Sequence, residues 1–248
     1  MKLNGRTALV TGGARGIGRA TAKRLAVEGA DIAITYNQNS AAAAEAVQEV
    51  KALGRTAHAI KCDATEPGEV MKARAEIEQE MGPVDILINN AGAISRPSDW
   101  CGQSDDDIRR AVDVNLLSVI YAIRSFAPTM VDRGWGRIVN LTSTYSFNGG
   151  AAVLAYTAAK AGVNSVTTAM AAELGEKGVL VNAVAPGNID TEMTRAAGSG
   201  VVDWVVQTTP VGRLGSADEV AEAIVYLVCS DFVCGHVFVL DGGQLLRI

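Results

Sequence analysis

Residues 7–29 read TALVTGGARGIGRATAKRLAVEG: a short apolar run, a cluster of glycines, then a segment with helical spacing that closes on Gly29. Such a run reads as a strand ending in a turn, and the alanines, leucine and valine that follow recur on one helix face up to a glycine stop. Gly12, Gly16 and Gly18 fall at the strand-to-helix turn. Glycines there permit a tight turn and let backbone N–H groups and a helix N-terminus approach an anion, whose charge the helix dipole favours. A glycine cluster alone marks only a helix start; between a first strand and a first helix it points to a nucleotide pyrophosphate. No Gly-Lys-Ser/Thr follows, so this is not a Walker A loop.

The same strand–helix alternation continues to the end of the chain. Apolar runs at 7–13, 31–35, 56–63, 84–92, 136–143, 179–187 and 236–243 are continuous rather than alternating, as strands buried on both faces require. Helices are predicted at 16–28, 40–53, 67–81, 105–132, 155–176 and 216–229. Several close on glycine, and Ser216 with Glu219 makes a capping box for the last. The pattern predicts an α/β fold: a doubly wound parallel sheet of about seven strands with helices on both faces, and one domain over residues 1–248. Ligands of such sheets bind beyond the carboxyl ends of the strands.

Bulk properties narrow the class. The 248 residues are 48% hydrophobic and 20% charged, ordinary for a globular protein with a sizeable core. A net charge of −5 without any lysine or arginine run argues against nucleic-acid binding. No run approaches the ~18 consecutive apolar residues of a membrane span, and MKLNGRTALVTGG lacks a signal-peptide core, so a cytoplasmic protein is expected. Cys62, Cys101, Cys229 and Cys234 form no CxxC pair; they read as reduced core residues, and His58 and His236 as strand residues, which leaves no metal site.

Residues 156–160 read YTAAK, which alone fits a surface tyrosine and a solvated lysine as well as a catalytic pair. With the Gly-x-x-x-Gly-x-Gly spacing it strongly resembles the short-chain dehydrogenase/reductase family. The resemblance spans the chain: TGGARGIG at 11–18, CDAT at 62–65, NNAG at 89–92, Asn115 in VNLLS, Ser143 in LTS thirteen residues before Tyr156, and APGNIDTEM at 185–193. It is nearest to the β-ketoacyl carrier-protein reductases, with VGRLGSADEVA at 211–221 and LDGGQ at 240–244.

The resemblance implies a Rossmann-like fold and an oxidoreductase. Tyr156 would be the acid in reduction and the base in oxidation, Lys160 would lower its pKa and contact the nicotinamide ribose, Ser143 would hold the substrate oxygen, and Asn115 would complete a proton relay through water. A capping serine and a buried helix asparagine are the plain alternatives for Ser143 and Asn115. The glycine loop, with Ile17, would hold the pyrophosphate and Arg15 the 2′-phosphate of NADP; Asp63 and Ala64 the adenine; Asn90, Ala91 and Gly92 the adenosine ribose region; Pro186, Gly187, Ile189 and Thr191 the nicotinamide end. Asp63 could instead cap its strand, and NNAG could be a tight turn.

The chemistry suits these residue types. Hydride arriving at a ketone leaves negative charge on oxygen, which needs an acid beside a hydrogen-bond donor. Tyrosine is about three pKa units too weak, or ~4 kcal/mol, and an ammonium about 4 Å away supplies ~4 kcal/mol at an effective dielectric near 20. An NAD-binding fold places a carboxylate after its second strand; here Tyr36 and Asn37 stand there, and Arg15 lies in the glycine loop, which favours NADP(H).

Residues 191–210, TEMTRAAGSGVVDWVVQTTP, would form a lid with hinges at Gly198 and Gly200 and an apolar surface around Trp204, suited to an acyl chain. The substrate is then a small carbonyl or alcohol, possibly carried on acyl-carrier protein or CoA, with Arg133, Arg137 and Lys177 as a basic docking patch near the mouth. The sequence departs from the family at SDFVCGHVF, which is short and has Cys234 where threonine is common. A 3-oxoacyl thioester reductase, a polyol or sugar dehydrogenase and a non-catalytic nucleotide-binding protein are the readings open, the complete Ser143, Tyr156 and Lys160 set counting against the last. A homotetramer built on the helices at 105–132 and 155–176 is expected by family analogy.

Overall fold

Strands β1 (Thr7–Val10), β2 (Asp31–Tyr36), β3 (Ala57–Lys61), β4 (Ile86–Asn89), β5 (Gly136–Leu141), β6 (Val179–Pro186) and β7 (Val237–Leu240) form one parallel sheet in the order β3-β2-β1-β4-β5-β6-β7. The computed structural model describes residues 2–94, 99, 101–195 and 199–247. From β1 the chain winds outward to β3, then returns to β4 on the other side, so the order reverses between β1 and β4. Ligands of open parallel sheets bind at such a switch point.

Side chains along each strand alternate between two helical layers. Ala8, Val10, Ile32, Ile34, Ile86 and Ile88 face α1 (Gly16–Val27), α2 (Ser40–Ala52) and the C-terminal helix Ala217–Cys229. Leu9, Ala33, Leu87, Ile138 and Val181 face α3 (Pro67–Met81) and the helical segments that follow β4 and β5. This is why the runs read as continuously apolar: both faces of the pleat are dry.

The segment 105–132 is not the uniform helix its periodicity predicts. It divides into α4 (Asp105–Val112), a π-turn (Asp113–Leu117) and α5 (Ser118–Asp132), with the Ser118 amide reaching back to the Asp113 carbonyl. The cause lies in Asn115. Its carboxamide donates to the carbonyls of Ala93 (2.8 Å) and Ala111 (2.9 Å) and accepts from Ala93 N (3.2 Å), which draws the turn towards the end of β4. Composition alone would let 105–132 cross a membrane, yet Val119, Ile123, Phe126 and Met130 pack into the core.

The remaining helices are α6 (Tyr145–Asn148), α7 (Leu154–Leu174), α8 (Glu192–Arg195), α9 (Ser199–Thr208) and α10 (Ala217–Cys229). In the lid region Val205 is buried and Trp204 exposed; Gly200 is inside α9 rather than at a hinge, and Gly198 lies outside the described residues. Edge strand β7 is only half-buried, and the opposite edge strand β3 is also partly exposed. The short segment before it is stitched to β6: Gly235 N donates to Val181 O, His236 N to Asn182 Oδ1, and Asn182 Nδ2 to Val233 O.

Two further expectations are corrected. All four cysteines are free thiols, but only Cys62 is a buried core residue; Cys229 is half-buried, and Cys101 and Cys234 are exposed. Arg133, Arg137 and Lys177 do not surround the site: Arg133 and Lys177 precede β5 and β6 and Arg137 is near the start of β5, so all three lie at the amino end of the sheet. Arg133 bonds Val84 O (2.8 Å) and Asp85 (3.2 Å), while Arg137 is buried against Asp231 (2.6 Å) and lies over the Trp135 ring.

Candidate active site

At the carboxyl ends of β5 and β6, the end of one strand and the start of α7 are laced together. Lys160 Nζ donates to Leu141 O (2.8 Å), and in return Thr142 Oγ1 donates to Lys160 O (2.9 Å). Tyr156 stands one helical turn before Lys160, so the two share a face of α7. Ser143 follows β5, is 8% exposed, accepts the Tyr145 amide at Oγ (3.2 Å) and lies close enough to the Tyr156 hydroxyl to lower its pKa. The Tyr145 ring meets Tyr156 edge-on, 6.5 Å between centroids.

Burial dominates the electrostatics. Burial drives the Tyr156 pKa up; the Ser143 hydrogen bond opposes that, and Tyr145 adds to it. Burial also lowers Lys160 from 10.5 to about 8. Its Nζ lies 5.8 Å from the centre of the Tyr156 ring. In the protein alone, then, the group that pulls Tyr156 down is Ser143, and the lysine that sequence reasoning placed in that role is itself strained by burial. Gly92 closes the site on a third side: a Cβ there would lie 2.9 Å from Asn115 Oδ1 and 3.4 Å from Lys160 Nζ.

The glycine loop makes a cradle that fits a dinucleotide phosphate. Gly16 holds a φ of +51°, and a Cβ on Gly18 would come within 2.5 Å of Gly12 O and Asn90 Nδ2. No side chain caps the N-terminus of α1, which leaves its first N–H groups facing the loop. Asn90 fastens the loop, donating to Thr11 O (2.8 Å) and Gly12 O (3.1 Å), while Thr11 Oγ1 accepts the amides of Asn90 and Ala91 at 3.0 Å.

The adenosine and nicotinamide ends are more occupied. At the end of β2, Tyr36 is half-buried and Asn37 donates to Asp63 Oδ2 (3.0 Å), with no carboxylate on the strand end itself. Asp63 Oδ1 accepts from Thr65 N and Oγ1, so Asp63 caps its own turn, with Ala64 inside it. Arg15 is exposed and paired with Glu192 of α8 at 3.2 Å. Beyond β6, Pro186 O accepts the Thr144 amide and Gly187 N donates to Leu240 O. Ile189 is buried and bridges to Gly215, and the Thr191 methyl lies against Gly16. The two ends of the groove are therefore joined over the glycine loop.

With this geometry in view, comparison with known proteins is decisive. The family model "short chain dehydrogenase" matches residues 6–201. The chain belongs to the short-chain dehydrogenase family. Among its relatives, the 3-oxoacyl-[acyl-carrier-protein] reductase of Aquifex aeolicus is 36% identical over 98% of this chain and 99% of its own. The acetoacetyl-CoA reductase of Cupriavidus necator is 38% identical over 96% and 97%. A solved gluconate 5-dehydrogenase of Burkholderia cenocepacia, in complex with NADP and tartrate, is 36% identical with a TM-score of 0.92 over 99% of this chain and 97% of that one. This short-chain dehydrogenase is accordingly an NAD(P)-dependent oxidoreductase acting on CH–OH groups.

The structure places Ser143, Tyr156 and Lys160 together at the carboxyl end of β5, with Asn115 across Gly92 from Lys160. Sequence reasoning missed Thr11, Thr142, Tyr145, Ser146 and Asn164. Thr11 and Thr142 sit at strand ends whose facing groups drew attention only as motifs, and nothing local marks Asn164, a mid-helix residue.

The buried lysine has a measurable cost. With its folded pKa below the unfolded value, the unfolded chain binds more protons between about pH 8 and 10.5, so stability rises with pH across that window. Lys160→Met is expected to raise stability at pH 7 by up to about 3 kcal/mol, less the lost Leu141 bond, and to flatten that alkaline rise. Urea unfolding at pH 7 and 10 checks it; equal slopes in both proteins would refute it.

Proposed function

We propose that this chain reduces a ketone to a secondary alcohol with NADPH, and that the ketone is the 3-oxo group of a free acyl thioester. The observation that carries the reaction is Tyr156 and buried Lys160 one turn apart on α7, with Ser143 beside the Tyr156 hydroxyl. A nicotinamide held by the glycine loop and the segment 186–191 would supply the hydride chemistry at the substrate's carbonyl or carbinol carbon. As charge grows on the substrate oxygen, Ser143 donates to it and Tyr156 delivers the proton; in the alcohol direction Tyr156 accepts that proton. Lys160, protonated at pH 7 by its pKa of about 8, favours the tyrosinate left behind. The Asn115 carboxamide, spent on Ala93 and Ala111, clamps the π-turn, so a water relay would pass its main chain.

NADPH is supported by the absent carboxylate after β2 and by Arg15, whose guanidinium suits a 2′-phosphate. A thioester is supported by exposed apolar side chains on the segments that adjoin the pair, Phe147 and Leu154, and on α9, Trp204. Presentation on CoA rather than on an acidic carrier protein follows from the far-end position of Arg133, Arg137 and Lys177. Reduction of a sugar acid is the second reading: Tyr145 brings a phenol beside Tyr156, and one relative is a gluconate 5-dehydrogenase. Four unpaired thiols fit a cytoplasmic protein, and exposed Tyr226, Phe232 and Val239 beside the edge strand fit assembly of copies into the homotetramer expected of the family.

Acetoacetyl-CoA, an acetoacetyl carrier-protein thioester and 5-ketogluconate, each tried with both cofactors, test the substrate. The CoA thioester is expected to turn over at least as well as the carrier form; activity confined to ketogluconate would replace the thioester reading. NADPH should exceed NADH in kcat/KM, with Arg15→Ala narrowing the gap by about tenfold; equal use by the unaltered protein would sink the assignment. Tyr156→Phe should lose turnover by roughly 10³-fold or more while still binding NADPH, and a near-normal kcat would refute its role.

A further inference from the structure

We propose that Ser146 and Asn164 are positioning residues that fix Ser143 relative to Tyr156. The inference rests on the Ser143–Tyr156 reading of the site. Tyr156 is held by α7, whereas Ser143 sits after β5 in a loop that runs through short α6 to Val153. That loop contains two glycines, Gly149 and Gly150, and Ala152 at φ +65°, so regular structure does little to fix it. Yet both hydroxyls must meet one substrate oxygen within a few tenths of an ångström.

The link is a two-step hydrogen-bond chain. Ser146 Oγ donates to the main-chain carbonyl of Ser143 (2.5 Å), and the same oxygen accepts from Asn164 Nδ2 (2.9 Å). Its direction is fixed: a hydroxyl has one proton, the carbonyl can only accept it, and Asn164 must therefore donate. Asn164 is four residues beyond Lys160 on α7. One rigid helix thus carries the acid, the lysine and the anchor of the serine loop. Ser143 is gripped at both ends, with Oγ at Tyr156 and its carbonyl tied to Asn164 through Ser146. The arrangement leaves Asn164 Oδ1 buried without a protein partner, which costs stability and is the mark of a group kept for position.

The test uses Ser146→Ala, Asn164→Leu, their double variant and Ser146→Thr, which keeps the hydroxyl. With NADPH and acetoacetyl-CoA, or 5-ketogluconate if that is the ketone turned over, each single loss should lower kcat about tenfold and the double no further, because both act through one chain. Ser146→Thr should stay within about twofold, and NADPH affinity by fluorescence titration should not change. In the alcohol direction the pH limb of Tyr156 should move upward, since a displaced Ser143 no longer pulls its pKa down. Normal kcat in both single variants, multiplicative losses in the double, or a fall in kcat with an unmoved pH limb and a lower Tm would overturn the proposal. An active Tyr156→Phe would instead condemn the site reading itself.

Discussion

Lys160 puts an ammonium into a place with 4% exposure and the Leu141 carbonyl at 2.8 Å as its acceptor, and the architecture at the carboxyl end of the sheet depends on that one buried charge. The lysine can reach Leu141 only if α7 lies close against the ends of β5 and β6. Small residues make this possible: Ala155, Ala159 and Val163 are buried, and a Cβ on Gly162 would come within 2.9 Å of Leu116 in the π-turn. Close packing of α7 in turn sets Tyr156 beside Ser143. A protein selected for stability alone would not bury an unpaired ammonium, so the strain marks where function has overridden packing.

The parallel sheet separates stability from chemistry by its two ends. At the amino end Asp85 receives Arg6, Arg133 and the Thr7 amide, and both Arg6 and Arg137 lie over Trp135. Charges there find protein partners, although the buried Arg137 Nε has none. At the carboxyl end the α1 N-terminus has no side-chain cap, and Ser143 and Tyr156 have only each other and nearby loop groups. Such incompletely satisfied polar groups are what a ligand completes.

Much of this was legible in the sequence because it follows from short-range pattern. Dry strands read as continuous apolar runs, and the glycine loop needed only its place between β1 and α1. Long-range bonds were not legible. Nothing in DVNLL announces that Asn115 bonds Ala93 and opens a π-turn, and helical periodicity reads straight through it. Arg133 and Arg137 were misplaced for a different reason: residues just before or at the start of a parallel strand must lie at the end away from the ligand, a consequence of topology that composition near a motif does not convey.

Arg15 shows how the two ends of the groove interact. Its partner Glu192 opens α8, so an ion pair of two exposed side chains, 70% and 76% accessible, ties the glycine loop to the lid segment. Exposed pairs of this kind contribute only ~0–1 kcal/mol, whereas charge-assisted bonds from a guanidinium to a phosphate contribute ~1.5–3 kcal/mol. On the NADPH reading, a 2′-phosphate would therefore displace Glu192 rather than the reverse. The carboxylate's repulsion of that phosphate then acts on α8, the element beside Thr191, and not on the rigid loop, whose position is held by Asn90 and Thr11. The cradle stays fixed while α8 is the element that can give.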